Sequence, residues 1–276
     1  MTKFHHRAPL LTGVAIALMV PLFWSQQLLT APLSGVVNLR DMTWVEVRSA
    51  IDAGYTTAIV PTGGIEQNGP HMILGKHDDI VGAAAEKIAR TVGHTLVAPV
   101  VSFVPEGDYT PPTGHMRFPG TIGLPEPVFA SVLEGIARSL KTGGFKTIVF
   151  IGDHGQSQAA QTAVAKSLTK EWASEGVQVA QIDAYYDDKA QIKRLVAEGK
   201  SLAAIGQHAS IIDTSELLSV NPNGVDLRRY RQIASGSEPT GISGDPSSAS
   251  SDQGATLLSL RVEAASRAIQ QLMQTH

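Results

Sequence analysis

Hydrophobic positions along this chain follow two periods. Short unbroken apolar runs rich in β-branched residues read as buried strands. Longer stretches with an apolar residue every third or fourth position read as helices with one buried face. The strand candidates are Thr56–Pro61, a run stopped by its proline, then Thr95–Val104, Thr147–Ile151 and Val177–Ile182. The helix candidates are Met42–Gly54, Ile80–Val92, Glu126–Thr142, Ser157–Ala173, Gln191–Glu198, Asp213–Leu218 and Gly254–Thr275. Asp41 suits the cap of the first, with Glu46 reinforcing it. Asp78 and Asp79 open the second, where the helix dipole favours negative charge. Strands that alternate with helices in this way predict a three-layer α/β fold with a mainly parallel central sheet flanked by helices. Ligands in such folds bind beyond the carboxyl ends of the strands.

Two stretches fit neither period. Residues 105–120 are rich in Pro, Gly and polar groups and read as a long loop, a length that points to function in a compact domain. Residues 235–252 are rich in Gly, Ser and Pro and read as irregular.

The N-terminus is a separate object. Lys3, His5, His6 and Arg7 form a basic lead before the uncharged, mostly apolar run Ala8–Trp24. That is the layout of an export signal, and residues 8–24 also reach the lower bound for a membrane anchor. Both readings make residues 1–31 a signal peptide or membrane tether. Both place residues 32–276 on the far side of the membrane, in the periplasm or facing outside.

Composition narrows the chemistry. The chain has 276 residues, 43% of them hydrophobic and 17% charged, with a formal net charge of −3. The mild negative charge gives no footprint for nucleic acid. Cysteine is absent, so disulfides, thiolate nucleophiles and Cys-ligated zinc are excluded. No phosphate-binding glycine loop and no Gly-x-Ser-x-Gly elbow occurs.

Imidazole and carboxylate groups remain, and they gather where strands hand over to loops. Glu66 lies in a glycine-rich turn after the first strand, His77 leads into the second helix, and His154 follows the apolar strand at 147–151. Each alone suits an ordinary loop or cap position. Together they suit one divalent ion, Zn²⁺ or Mn²⁺, with an open place for water. Either His77 or its neighbour Asp78 could supply the second of these ligands. His115 stands in a Gly- and Pro-rich loop able to reach over a cleft. His208, with Asp213 behind it, suits an oriented general acid or base. Asn68, His71, Asp78 and Gln156 suit positions around the ligands or against a substrate.

These segments, taken in order, resemble the creatininase family of amidohydrolases over most of the chain from about Val60 onward. The family block E-Q-H-G-P-H-L-P-L-G-T-D is matched by Glu66 through His77, and H-x-x-F-P-G-T by His115, Phe118, Pro119, Gly120 and Thr121. An N-G-H-G-like block is matched by Gly152-Asp153-His154-Gly155, and H-A-G-x-x-E-T-S by His208–Ser215 with Asp213 in the Glu place. G-D-P recurs at Gly244-Asp245-Pro246. The resemblance implies a hydrolase of cyclic amides or related C–N bonds, a small-molecule substrate and a homo-oligomer, often a hexamer. It also implies two metals that share a bridging Asp. Here Asn68 replaces a ligand His, His77 stands at the bridging Asp and Gln156 replaces a ligand Glu. Asn and Gln are weak ligands and a neutral imidazole bridges two cations poorly, so the expected set is one ion on Glu66, His77 and His154, with the second site lost. His208, Asp213 and His115 are then the catalytic candidates. The alternative on the same scaffold is a metal-containing binding protein with reduced catalysis.

Overall fold

The computed structural model describes residue 1 and residues 35–233 and 240–274. Contacts divide the chain into residues 1–30 and residues 31–276. The signal or tether expected at 1–31 therefore lies outside the described residues, apart from Met1. Among the described residues no helix is long and apolar enough to cross a membrane.

The sheet is built from β1 (Thr57–Thr62), β2 (Thr95–Val97), β3 (Thr147–Gly152) and β4 (Gln178–Gln181). Its order is β2-β1-β3-β4, and every pairing is parallel. All side chains of β1 and β3 are buried, as strands covered on both faces require. Alternation sends them to opposite cores. Ala58, Val60, Ile148 and Phe150 pack with α1 (Trp44–Asp52), α3 (Glu126–Gly143) and α4 (Gln158–Glu171). Ile59, Val149 and Ile151 pack with α2 (Lys76–Val92), α7 (Ile211–Val220) and α9 (Ser251–Gln274). The result is the expected three-layer α/β architecture. Three short helices, α5 (Lys189–Ala197), α6 (Leu202–Ile205) and α8 (Leu227–Ile233), complete the set among the described residues.

Differences from the periodicity have local causes. The cap of α1 is Thr43, not Asp41: Thr43 and Glu46 form a reciprocal capping box. Pro61 sits inside β1, in register with Ile151, and its carbonyl accepts from Val101 N–H at 2.9 Å. The second apolar run yields only a three-residue strand: Ala98 N–H still donates to Ile59 O at 2.8 Å, but past Pro99 the next donor to β1 is Val101 N–H, one residue out of step. Pairing resumes as a single bridge between Thr62 and Val101. That break matters for the site, since it releases residues 98–125 to wander over the carboxyl edge of the sheet.

Candidate metal centre

Three neighbouring strands deliver acidic or imidazole groups to one edge. After β1 comes Glu66, whose N–H donates to Leu74 O at 3.1 Å across a turn. After β2 comes Glu106, and directly after β3 come Asp153 and His154. The loop carrying Glu106 doubles back, so that His115 N–H donates to Glu106 O at 3.0 Å. Gly114 makes this return possible: its φ is +53°, and a Cβ there would lie 2.6 Å from Glu106 O. Glu66, Glu106, His115 and His154 thus offer ligand atoms that all lie within 4.8 Å of one another.

The Glu66 carboxylate divides this centre. On its Oε2 side, His154 Nε2 lies at 2.9 Å and His115 Nε2 at 3.1 Å. His154 Nε2 also lies 3.1 Å from Glu106 Oε2, but that approach lacks hydrogen-bond geometry. Both Glu106 oxygens are buried without a hydrogen-bond partner, and so is His154 Nδ1. A buried orphan carboxylate carries a large desolvation cost, which a cation would offset. Two carboxylates and two imidazoles are a donor set suited to zinc or manganese, so the residues fit a divalent ion. Burial, with Glu66 nearby, pushes the Glu106 carboxyl up. His154 is raised to about 9: burial opposes its charge, but Glu106 and Glu66 outweigh it. His115 goes the other way, to about 4, chiefly through burial.

On the Oε1 side, His77 fills a different place from the ligand expected. Its Nε2 lies 2.7 Å from Glu66 Oε1 and its Nδ1 2.7 Å from Asp153 Oδ2, so carboxylates occupy both ring nitrogens. Burial disfavours its charge, yet the two acidic partners raise its pKa overall. Against the cost of burial, His77, His154 and Lys76 hold the Glu66 carboxyl far below its ordinary range. Asp153 is in turn anchored by Arg261 Nη2 at 2.6 Å and Tyr185 Oη at 3.0 Å. Arg261 also pairs with buried Glu216 at 2.9 Å, whose carboxyl burial pushes up to about 7.

The other expected residues divide between pocket and scaffold. His208 reaches the pocket, with Nδ1 3.6 Å from Glu66 Oε1 and Nε2 3.0 Å from Gln67 O. Asp213 does not bond its ring as expected. Its Oδ2 accepts from Ala209 N–H at 2.6 Å, which holds the left-handed Ala209 (φ +52°), and faces Lys76 Nζ at 3.4 Å. Gln156 lines the pocket. Asn68 is spent on the turn, its amide donating to Glu66 O, Ile73 O and Leu74 O at 3.0–3.3 Å. His71 Nε2 lies 2.9 Å from Thr214 Oγ1 and does not line the pocket. Asp78 Oδ1 accepts from Gly64 N–H at 3.1 Å, behind the first turn. Gln67, not singled out from the sequence, joins two loops: its Nε2 lies 3.0 Å from His115 Nδ1 and donates to Gly241 O at 3.1 Å.

Glu106 was likewise not singled out. Its signal is a lone carboxylate at the exit of an apolar run, Val101-Ser102-Phe103-Val104-Pro105, which is also the setting of Glu66 and Asp153. The whole opens into a pocket of about 1080 Å³ lined by Glu66, Lys76, His77, His115, His154 and His208 among others. That volume suits a small-molecule ligand.

Known proteins resemble this chain in sequence and in fold. The family model for creatininase, creatinine amidohydrolase, matches residues 40–269. The creatinine amidohydrolase of Pseudomonas putida is 26% identical over 202 residues, covering 71% of this chain and 76% of that protein. The mycofactocin precursor peptide peptidase of Mycolicibacterium smegmatis is 29% identical over 210 residues, covering 71% of this chain and 77% of that protein. A crystal structure of creatinine amidohydrolase matches with a TM-score of 0.70 at 24% identity, covering 86% of this chain and 97% of that one. Structures described as creatininase Mn and as a mutant creatininase of Zn–Zn type also reach 0.70, each at 23% identity and covering 86% of this chain and 98% of the other. The fold, the donor set and the match over residues 40–269 agree: this chain belongs to the creatininase family of metal-dependent amidohydrolases.

Proposed function

We propose that the protein hydrolyses the C–N bond of a small amide, cyclic amide or related lactone with one divalent ion, Zn²⁺ or Mn²⁺, held by Glu66, Glu106, His154 and His115. The observation that carries this reading is Glu106, a buried carboxylate with neither oxygen hydrogen-bonded and with His154 Nε2 3.1 Å away. When bound, such an ion lowers the pKa of its water and polarises the carbonyl to be attacked. The chain's own residues then divide the remaining work. Asp153, through His77, fixes the orientation of Glu66 from behind, as outer partners do for metal-binding carboxylates. His208 Nδ1, facing Glu66 Oε1 at 3.6 Å, is placed to pass a proton toward the leaving nitrogen. Phe118 and Ile212 line the pocket and exclude water from part of it.

Two similar proteins support an amide substrate by name, a creatinine amidohydrolase and a precursor peptide peptidase. A single ion is supported by Asn68 and Gln156, since Asn68 is turned into its own loop and Gln156 offers only an amide. The basic lead and apolar run at residues 3–24 support export, and the family resemblance supports a homo-oligomer. The test is metal analysis of the full chain together with a screen of cyclic amides, lactones and short peptides. One ion per chain, lost in Glu106→Ala, with turnover of at least one amide is the expected result. Stoichiometric metal with tight ligand binding and no product would instead favour a carrier on this scaffold.

A further inference from the structure

Lys76 is the buried charge that the chemistry above leaves unused. It is the first residue of α2 and is 0% exposed. The positive end of a helix dipole is a poor place for a cation, and burial away from water makes it poorer. Its carboxylate neighbours do not close the account geometrically. Lys76 Nζ stands 3.4 Å from Asp213 Oδ2 and 3.8 Å from Glu66 Oε1, both longer than the ~2.7–2.9 Å of charge-assisted hydrogen bonds. Asp213 is already committed to Ala209 N–H at 2.6 Å, and Glu66 Oε1 to His77 at 2.7 Å. The lysine also lines the open pocket. Glu66 therefore has candidate ion ligands at Oε2 and an ammonium beside Oε1, and Lys76, His115 and His154 line one pocket.

We propose that Lys76 binds the substrate's anionic oxygen: its ammonium grips the acyl oxygen as negative charge develops there, and then the product carboxylate. Amide hydrolysis supplies that charge. Water forms a bond from its oxygen to the carbonyl carbon, and the C=O electron pair moves onto the carbonyl oxygen. The pair returns as the C–N bond breaks and the nitrogen takes a proton, leaving an amine and a carboxylate. Lys76 makes and breaks no covalent bond in this sequence; its ammonium donates to the oxygen on which charge develops, the role in which a dry pocket makes such a donor most effective. This rests on the hydrolase reading above, but its test does not need turnover.

The probe is inorganic phosphate, a tetrahedral oxyanion, titrated calorimetrically into the full chain with and without one equivalent of Mn²⁺. Metal content is measured in parallel. In Lys76→Met the bound metal should stay at the wild-type level while phosphate binding weakens by about tenfold or more, and Lys76→Arg should restore most of it. Equal phosphate binding by wild type and Lys76→Met, or none by the loaded wild type, would overturn the assignment. Should wild type take up no Mn²⁺ yet bind phosphate through Lys76, the metal reading fails and this one survives. Should Lys76→Met not fold, Lys76→Gln carries the same comparison. If metal, phosphate and melting temperature all fall together in both variants, Lys76 is a structural ion pair and the proposal is wrong.

Discussion

The two oxygens of Glu66 face opposite kinds of environment. Around Oε2 the groups are under-satisfied: Glu106 has two buried oxygens without a hydrogen bond, and the ring nitrogens of His154 and His115 crowd the same point. Around Oε1 the charges are closed in sequence, from His77 to Asp153, then Arg261, then Glu216, at distances of 2.6–2.9 Å. The contrast separates what holds a ligand from what holds the protein. A half left electrostatically incomplete by the chain is ready for a cation. A half completed by the chain fixes the angle at which Glu66 is presented. Lys76 lies at the seam, buried like the second group and imperfectly paired like the first.

The hardest test of this contrast is Glu66→Ala, which removes the shared carboxylate. Ion binding should fall by well over about 100-fold, beyond the 10–100-fold typical of outer partners, as read by metal analysis after dialysis. Retained stoichiometric metal would mean that the centre lies elsewhere.

Arg261→Met breaks the closed half. It leaves Asp153 and Glu216 buried without their cation, at a cost of about 3–5 kcal/mol in unfolding free energy, measurable by denaturant titration of the metal-free protein. A loss below about 1 kcal/mol would show that this chain of ion pairs does not carry the stability assigned to it.

The open half should show itself in pH dependence. The folded pKa of His154 is about 9, above the ordinary 6.5, because Glu106 and Glu66 favour its charge despite burial. Its contribution to the metal-free protein is therefore full below pH 6.5 and is lost as pH rises through 9, which melting curves across that window will show. An ion needs the neutral ring, so uptake at pH 7 should release about one proton from His154. Calorimetry in buffers of different ionisation heat reads this directly, and zero release would contradict the placement of the ion at His154.

Asp153→Asn probes the join between the halves. It keeps shape but removes the charge opposite His77, so ion affinity should fall by about tenfold, measured against a competing chelator. Unchanged affinity would show that Glu66 needs no support from behind. The smallest effect belongs to the surface. Arg138 makes 2.7 Å bonds to both Glu171 oxygens, yet the pair is exposed to solvent, so Arg138→Ala should leave the denaturation midpoint close to that of the wild type. A clear drop would break the rule that burial, not bond length, sets the value of these ion pairs.

The legible part of this protein was what repeats locally. The β1 and β3 strands and helices α3, α4 and α9 appear within a few residues of where the apolar periods put them, because a buried face imposes its period on any sequence that forms it. Glu66 and His154 were readable for a related reason: a carboxylate or imidazole at the end of an apolar strand in a parallel sheet has one edge to face. Boundaries that depend on a single bond were less so, as with the Thr43 cap or the ladder broken at Pro99.

What the sequence determined by itself was therefore the α/β layering, the edge at which the chemistry gathers and a series of family blocks between Glu66 and Pro246. Which groups meet was decided only by the tertiary structure. Glu106 enters because a loop returns on Gly114, His77 is turned between two carboxylates rather than toward the open side, and Asp213 faces Lys76 instead of His208. These meetings join residues from 11 positions apart, as for Glu66 and His77, to 76, as for His77 and Asp153, and beyond, and no local period encodes a distance between side chains brought together by packing.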